Sequence, residues 1–284
     1  MDEAARITLL EALRAARKPA QRICRSGPSL LVPPPMRILV SNDDGIDSPG
    51  LHALVDALQA LGEVWTVAPM TEQSAKSHAL TTREPLRVRQ LGERSFAVSG
   101  TPADCVYLAI HELCPPDISV VVSGINRGAN LADDTWYSGT VGAAREGAMC
   151  GLPAIAVSLD VEPGSKATPH WAEAARRAVV LARELMADPP SERTVFNLNV
   201  PDLPESMLRP RVTCPLGKRH WTPSVHLQDD PRGRRLYWVG GERTTSPDHV
   251  GTDLDYINKG HPTLTPLHVE GTDRALLERW QAKG

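Results

Sequence analysis

The chain has 284 residues, a formal net charge of −3, and hydrophobic and charged shares of 41% and 23%. Such a composition excludes the disordered and fibrous classes, and the length suits one large α/β domain with a sizeable core. Residues 1–35 hold six bases (Arg6, Arg14, Arg17, Lys18, Arg22, Arg25) against three acids (Asp2, Glu3, Glu11), a net of +3 that leaves −6 on residues 36–284; with only two Phe and four Tyr for stacking, that body lacks the footprint of a binder of nucleic-acid polymers.

In chain order, Ile7–Ala16 (ITLLEALRAA) has helical spacing, and Pro33-Pro34-Pro35 then breaks the chain. Residues 1–35 therefore read as an appendage, disordered or the product of a start codon placed too early, ahead of a domain spanning 36–284. Arg37–Ser41 (RILVS) predicts a strand, and Leu51, Leu54, Val55, Leu58 and Leu61 recur at helical spacing. Ser48 is a good N-cap, Pro49 suits the first helical position, and Gly62 stands where the helix would stop. Glu63–Ala68 (EVWTVA) completes a βαβ unit. The alternation resumes with the run Ala103–Leu113, strand Ile118–Val122, a helix from about Thr140 to Cys150, strand Ala154–Ser158 and helix Trp171–Met186. It predicts an α/β, Rossmann-like fold, a mostly parallel sheet with helices on both faces. After Thr194–Val200 the pattern becomes short β-like runs, including Arg235–Val239 and Pro262–Leu267, read as an irregular C-terminal β-rich portion.

The five cysteines, Cys24, Cys105, Cys114, Cys150 and Cys214, are odd in number and form no CxxC pair, as expected of reduced cytosolic thiols. No apolar run approaches the roughly 20 residues that span a bilayer, and the acidic start is a poor signal peptide. The expected location is the cytoplasm, with no membrane partner.

In open α/β sheets ligands bind outside the carboxyl ends of parallel strands. Three loops at that edge are unusual: Asn42-Asp43-Asp44-Gly45, Glu72-Gln73-Ser74-Ala75 and Ser123-Gly124-Ile125-Asn126. They bring Asp43, Asp44, the Ser74 hydroxyl and the Asn126 amide to one rim, a set of oxygens. Two carboxylates about 4 Å apart repel by roughly 4 kcal/mol at an effective dielectric near 20, a cost that a divalent cation reverses. Hard oxygens without His or Cys favour Mg²⁺, Mn²⁺ or Ca²⁺ over zinc. Ser138-Gly139-Thr140 then opens a predicted helix whose free N–H groups and dipole suit phosphate, with Asn130 as an added donor.

Each feature alone has a plainer reading. Asp-Gly is a turn dipeptide, Ser74 a helix cap, Asn126 a turn stabiliser, and Ser138-Gly139-Thr140 an ordinary helix start. His78, His111 and His220 lack partners at metal-ligand spacing and read as surface or core histidines. The balance moves because four independent features fall on one edge of the sheet.

These residues carry a resemblance to the SurE (survival protein E) 5'/3'-nucleotidases over nearly all of residues 36–270. It rests on ILVSNDDGIDSPG at 38–50, VAPMTEQSAKSHALT at 67–81, VSGTPADCV at 98–106, SGINRGANLADDTWYSGTVGAAREG at 123–147, DPRGRRLYWVGG at 230–241 and GTDLDYINKGHPTLTPL at 251–267. The resemblance implies metal ligands Asp43, Asp44, Ser74 and Asn126, and phosphate contacts from Asn130 and Ser138-Gly139-Thr140. It implies one divalent cation per subunit, a homodimer or tetramer with a C-terminal β arm within about 220–284 exchanged between subunits, and hydrolysis of nucleoside 5'- and 3'-monophosphates, sometimes of polyphosphate. Two departures stand out: Ala132 replaces a usual glycine, and Lys76-Ser77 a commonly smaller pair. Asp43 and Asp44 are the expected catalytic residues, with Asp43 as metal ligand, general base or nucleophile. A non-catalytic nucleotide- or metal-binding protein using the same rim is the rival.

Overall fold

The apolar run after the triple proline becomes strand β1, Met36–Ser41. Ile38 and Val40 enter one core cluster and Leu39 the other, as a strand buried on both faces requires. Helix α1 (Pro49–Leu58) follows and buries Leu51, Leu54 and Leu58, the apolar stripe visible in the sequence. Ser48 occupies the N-cap position with Pro49 first, but its side chain makes no capping bond. Gly62 opens β2 (Gly62–Pro69) rather than merely stopping the helix: a Cβ there would lie 2.1 Å from the Met36 carbonyl oxygen. The computed structural model describes residues 36–245 and 249–283, so the reading of residues 1–35 lies outside the described residues.

Strands β3 (Val88–Gly92) and β4 (Ser95–Val98) form a short antiparallel pair. Helix α2 (Pro102–Leu108) is held by a reciprocal capping box between Thr101 and Asp104 and runs into a π-helical turn, Ala109–Leu113. Then come β5 (Val120–Arg127), a 3₁₀ turn at Ala132–Trp136, α3 (Gly139–Met149), β6 (Ala154–Asp160), α4 (Trp171–Ala187) and β7 (Thr194–Pro201). The chain continues through β8 (Val212–Thr213), β9 (Arg219–Asp229), β10 (Arg235–Thr245), α5 (Asp253–Asn258), β11 (Thr263–His268) and α6 (Arg274–Gln281).

The main sheet has nine strands in the order β3-β4-β2-β1-β5-β6-β7-β11-β8. Its six central strands, β4 to β7 in that order, run parallel. Helices α1 and α4 cover one face, through Leu51, Leu54, Ala178 and Leu181. Helices α2 and α3 cover the other, through Cys105, Val106, Ala143 and Ala148. Chain progression reverses between β1 and β5, which makes the crevice at their carboxyl ends the topological switch point.

Two expectations change. The strand expected at Ile118–Val122 continues through a bulge to Arg127, so Asn126 lies inside β5 and not in a loop after it. Gly and Asn there read locally as a turn, but pairing of Asn126 with Ser158 and Arg127 with Leu159 overrides that preference. Gly124 makes the bulge possible: its φ is +137°, and a Cβ would lie 2.3 Å from the Val157 oxygen. The C-terminal portion is also more regular than expected. Among the described residues the hairpin β9–β10 stands as a separate two-stranded sheet, whereas β11 returns to the main sheet antiparallel to β7. No helix among the described residues is long and apolar enough to cross a membrane.

Candidate active site

Asp43 and Asp44 leave β1 at the switch point. The Asn42 amide donates to the Gly45 carbonyl at 2.9 Å, closing the turn, and Gly45 takes the left-handed φ of +98° that this turn needs. Asp43 is almost fully buried, 4% exposed. Its Oδ1 accepts a hydrogen bond from the Thr140 hydroxyl. Asp43 therefore sits on the N-terminus of α3, where the helix dipole favours a carboxylate. Gly139 permits this approach, because a Cβ there would be 2.8 Å from the Asp43 Cβ. Asp44 Oδ2 accepts from the Arg127 backbone N–H at 3.1 Å.

Burial pushes the Asp43 carboxyl up to about 6, against the pull of the Thr140 hydroxyl and with a further push from the Asp44 charge. Burial also raises Asp44, opposed by the Arg127 N–H, with the Glu72 charge adding to the rise. Two desolvated, mutually repelling carboxylates at one strand end are an arrangement that a cation relieves.

The remaining expected residues gather around the same place. Asp43, Asp44, Ser74, Asn126, Asn130 and Ser138 all line one cavity of about 1200 Å³. The Ser74 hydroxyl donates to Glu72 Oε1 at 2.9 Å. The Asn126 amide nitrogen donates to the Gly128 carbonyl at 2.7 Å, which leaves Oδ1 as its acceptor. Ser138 caps α3, its Oγ accepting from the Val141 N–H at 3.1 Å. Gly139 and Thr140, at the helix N-terminus expected to hold phosphate, are packed against Asp43. No cluster of three or more His, Cys, Asp and Glu side chains suited to a metal occurs among the described residues; the rim's donor set is two carboxylates with neutral oxygens.

Asn130 has a second task. Its backbone N–H donates to Asn199 Oδ1 (2.8 Å), its side-chain nitrogen to Ser158 Oγ (2.9 Å), and its carbonyl accepts from Asn197 (2.9 Å) and Asn199 (3.2 Å). Asn197 and Asn199 are fully buried on β7 and fasten the cavity loop to the sheet. The sequence reading passed over them, although two asparagines at period two in an apolar strand signal a buried polar task. It also passed over Arg127, Lys166 and Trp171, which help to line the cavity. Arg127 donates to the Ser165 carbonyl at 3.0 Å.

His78 bonds Glu146 at 2.6 Å, and His111 stacks at a tilt on Tyr107; the His220 side chain lies outside the described residues. Ala132, the departure from glycine, has a φ of +49°, the left-handed region in which glycine is at ease. Its N–H donates to buried Asp253.

Fold and site together define a class: a doubly wound α/β protein with paired aspartates at the switch point of a parallel sheet, Asp43 held at a helix N-terminus and Asp44 by a strand N–H. The family model described as Survival protein SurE matches residues 38–223. The 5'-nucleotidase SurE of Pelobacter propionicus is 48% identical over 243 residues, covering 86% of this chain and 97% of that protein. That of Aeromonas hydrophila is 45% identical over 243 residues, covering 84% and 94%. The crystal structure of the SurE protein from Aquifex aeolicus superposes with a TM-score of 0.74 at 35% identity, covering 86% of this chain and 97% of that one. This chain belongs to the SurE family.

Proposed function

We propose that the protein is a 5'-nucleotidase, a phosphomonoesterase that hydrolyses nucleoside monophosphates with the help of one divalent cation per subunit. The observation that carries this reading is the presence of Asp43, Asp44, Ser74 and Asn126 together in the lining of a single cavity, together with the names of relatives matched over nearly their whole length. The four residues supply the hard oxygens that Mg²⁺, Mn²⁺ or Ca²⁺ takes. When bound, the cation supplies Lewis-acid polarisation of a phosphoryl oxygen and a lowered pKa for water.

The chain's own residues prepare the rest. Thr140 and the Arg127 N–H hold Asp43 and Asp44 before any ligand arrives, so no reorganisation is needed when charge develops. Ser138 and Asn130, next along the same lining, orient the phosphoryl group. The cavity far exceeds a phosphate in volume and fits a nucleoside, since pockets for drug-sized ligands run about 300–1,000 Å³. Tyr137, Lys166 and Trp171 provide ring faces and a cation for that larger part.

The finer reading covers 3'- as well as 5'-monophosphates, inorganic polyphosphate as a further substrate, the cytoplasm as the place of action, and a homodimer as the working unit. A panel of 5'- and 3'-mononucleotides and polyphosphate, crossed with Mg²⁺, Mn²⁺ and Ca²⁺, tests it through phosphate release. Turnover of 5'-monophosphates with at least one cation is expected. Cation binding without turnover of any member of the panel would instead favour a binding protein.

A further inference from the structure

The segment that carries Ser74 is fastened both to the 3₁₀ turn that precedes α3 and to α3 itself, through residues other than Ser74. Ser77 donates through its N–H to the Tyr137 carbonyl at 3.0 Å and through its hydroxyl to the Trp136 carbonyl at 2.6 Å. Gly142 lets the helix meet this backbone directly, since a Cβ there would lie 2.1 Å from the Ser77 oxygen. One turn further along α3, Glu146 is only 6% exposed, and its Oε2 takes the His78 ring nitrogen Nε2 at 2.6 Å. A buried carboxylate is costly unless paired, and His78 is the partner that makes this one tolerable.

The segment needs such fastening. Ala75 and Ser77 hold φ values of +59° and +54°, left-handed conformations that are unfavourable for non-glycine residues and persist only when the surroundings impose them. On the other side of Ser74, the Gln73 N–H is bound to the Asp43 carbonyl at 2.7 Å. Ser74 thus hangs between an anchor on Asp43 and an anchor on α3, and Asp43 is itself held by Thr140 of α3. One helix sets the spacing between the two.

We propose that Glu146, acting through His78, is a positioning residue for Ser74, fixing the hydroxyl at the distance from Asp43 and Asp44 that a divalent cation requires. This rests on Ser74 being a cation ligand, as proposed above.

The test is calorimetric titration of Mn²⁺ into the EDTA-stripped full-length protein, with urea midpoints recorded in parallel. The set is wild type, Ser74→Ala, Glu146→Leu, Glu146→Gln, His78→Leu, and Ser74→Ala combined with Glu146→Leu. Removing the tie in Glu146→Leu or His78→Leu should weaken Mn²⁺ binding about tenfold, the lower end of what outer partners of metal ligands contribute. Glu146→Gln retains an acceptor and should bind nearly as wild type. The double variant should bind no more weakly than Ser74→Ala alone, because the two changes remove the same contribution. Should Ser74→Ala bind Mn²⁺ like wild type, the ligand assignment itself fails. Weakened binding by Ser74→Ala beside unchanged affinity in folded Glu146→Leu and His78→Leu overturns the positioning role, as do effects that simply add in the double variant.

Discussion

Gly139 and Ala132 show how far single atoms shape this site. A methyl group at Gly139 would stand 2.8 Å from the Asp43 Cβ and 2.9 Å from its Oδ2, so Gly139→Ala must displace either the helix or the aspartate. Overpacking of this kind costs about 1–3 kcal/mol, and helix propensity returns at most about 1 kcal/mol. A small loss in urea midpoint with a much larger loss of turnover is therefore expected, because the displaced group is the carboxylate. Ala132→Gly is the opposite case. Relief of its left-handed backbone regains about 1–2 kcal/mol, while glycine's extra chain entropy costs about 0.5–1 kcal/mol and the lost buried methyl about 0.8 kcal/mol. These nearly cancel, so the variant should unfold within about 1 kcal/mol of wild type and keep its turnover, as urea titration and phosphate release would show.

At the level of elements, the cavity loop depends on α5. Asp253, fully buried at its start, accepts from the N–H groups of Ala132 (2.8 Å), Gly217 (2.7 Å) and Leu254 (2.8 Å). Asp253→Ala leaves three donors without this acceptor. At about 1–3 kcal/mol for each buried group left unsatisfied, a loss of 3 kcal/mol or more is expected in chemical denaturation, with the loop around Ala132 gaining the most hydrogen exchange. Asp253 and α5 escaped the sequence reading because a six-residue helix is too short for periodicity to reveal. The β1–α1–β2 unit was legible for the converse reason: its apolar strand, its 3.6-residue stripe of leucines and its breaker residues all agree. Short, polar β3, Val-Arg-Gln-Leu-Gly, carries no such pattern and owes its state to pairing with β4. Asp43, Asp44, Ser74 and Asn126 were legible through their places at strand ends, even though Asn126 proved to lie within β5. The roles of Thr140 beneath Asp43 and of Asn197 and Asn199 beneath Asn130 were not, since each depends on contacts across 67 residues or more.

For the whole molecule, the proposed cation site makes cation binding and stability one linked quantity. A cation that binds the folded site at a hundred times its Kd adds about 2.7 kcal/mol, or several degrees in Tm for a chain of this size. The thermal unfolding temperature should rise accordingly with Mg²⁺ or Mn²⁺ in the wild type and much less in Asp43→Asn, which lacks one of the two carboxylate charges of the site. The most direct test of cation-dependent phosphatase action at Asp43 and Asp44 is phosphate release from AMP by the EDTA-stripped protein, with and without added Mn²⁺, for wild type beside Asp44→Asn. Release by wild type is expected only when the cation is present, with a loss of about a hundredfold or more in a normally folded Asp44→Asn, on the scale set by removal of one transition-state electrostatic partner. Equal release in EDTA, or a folded Asp44→Asn that turns over like wild type, would contradict cation-dependent action at this pair.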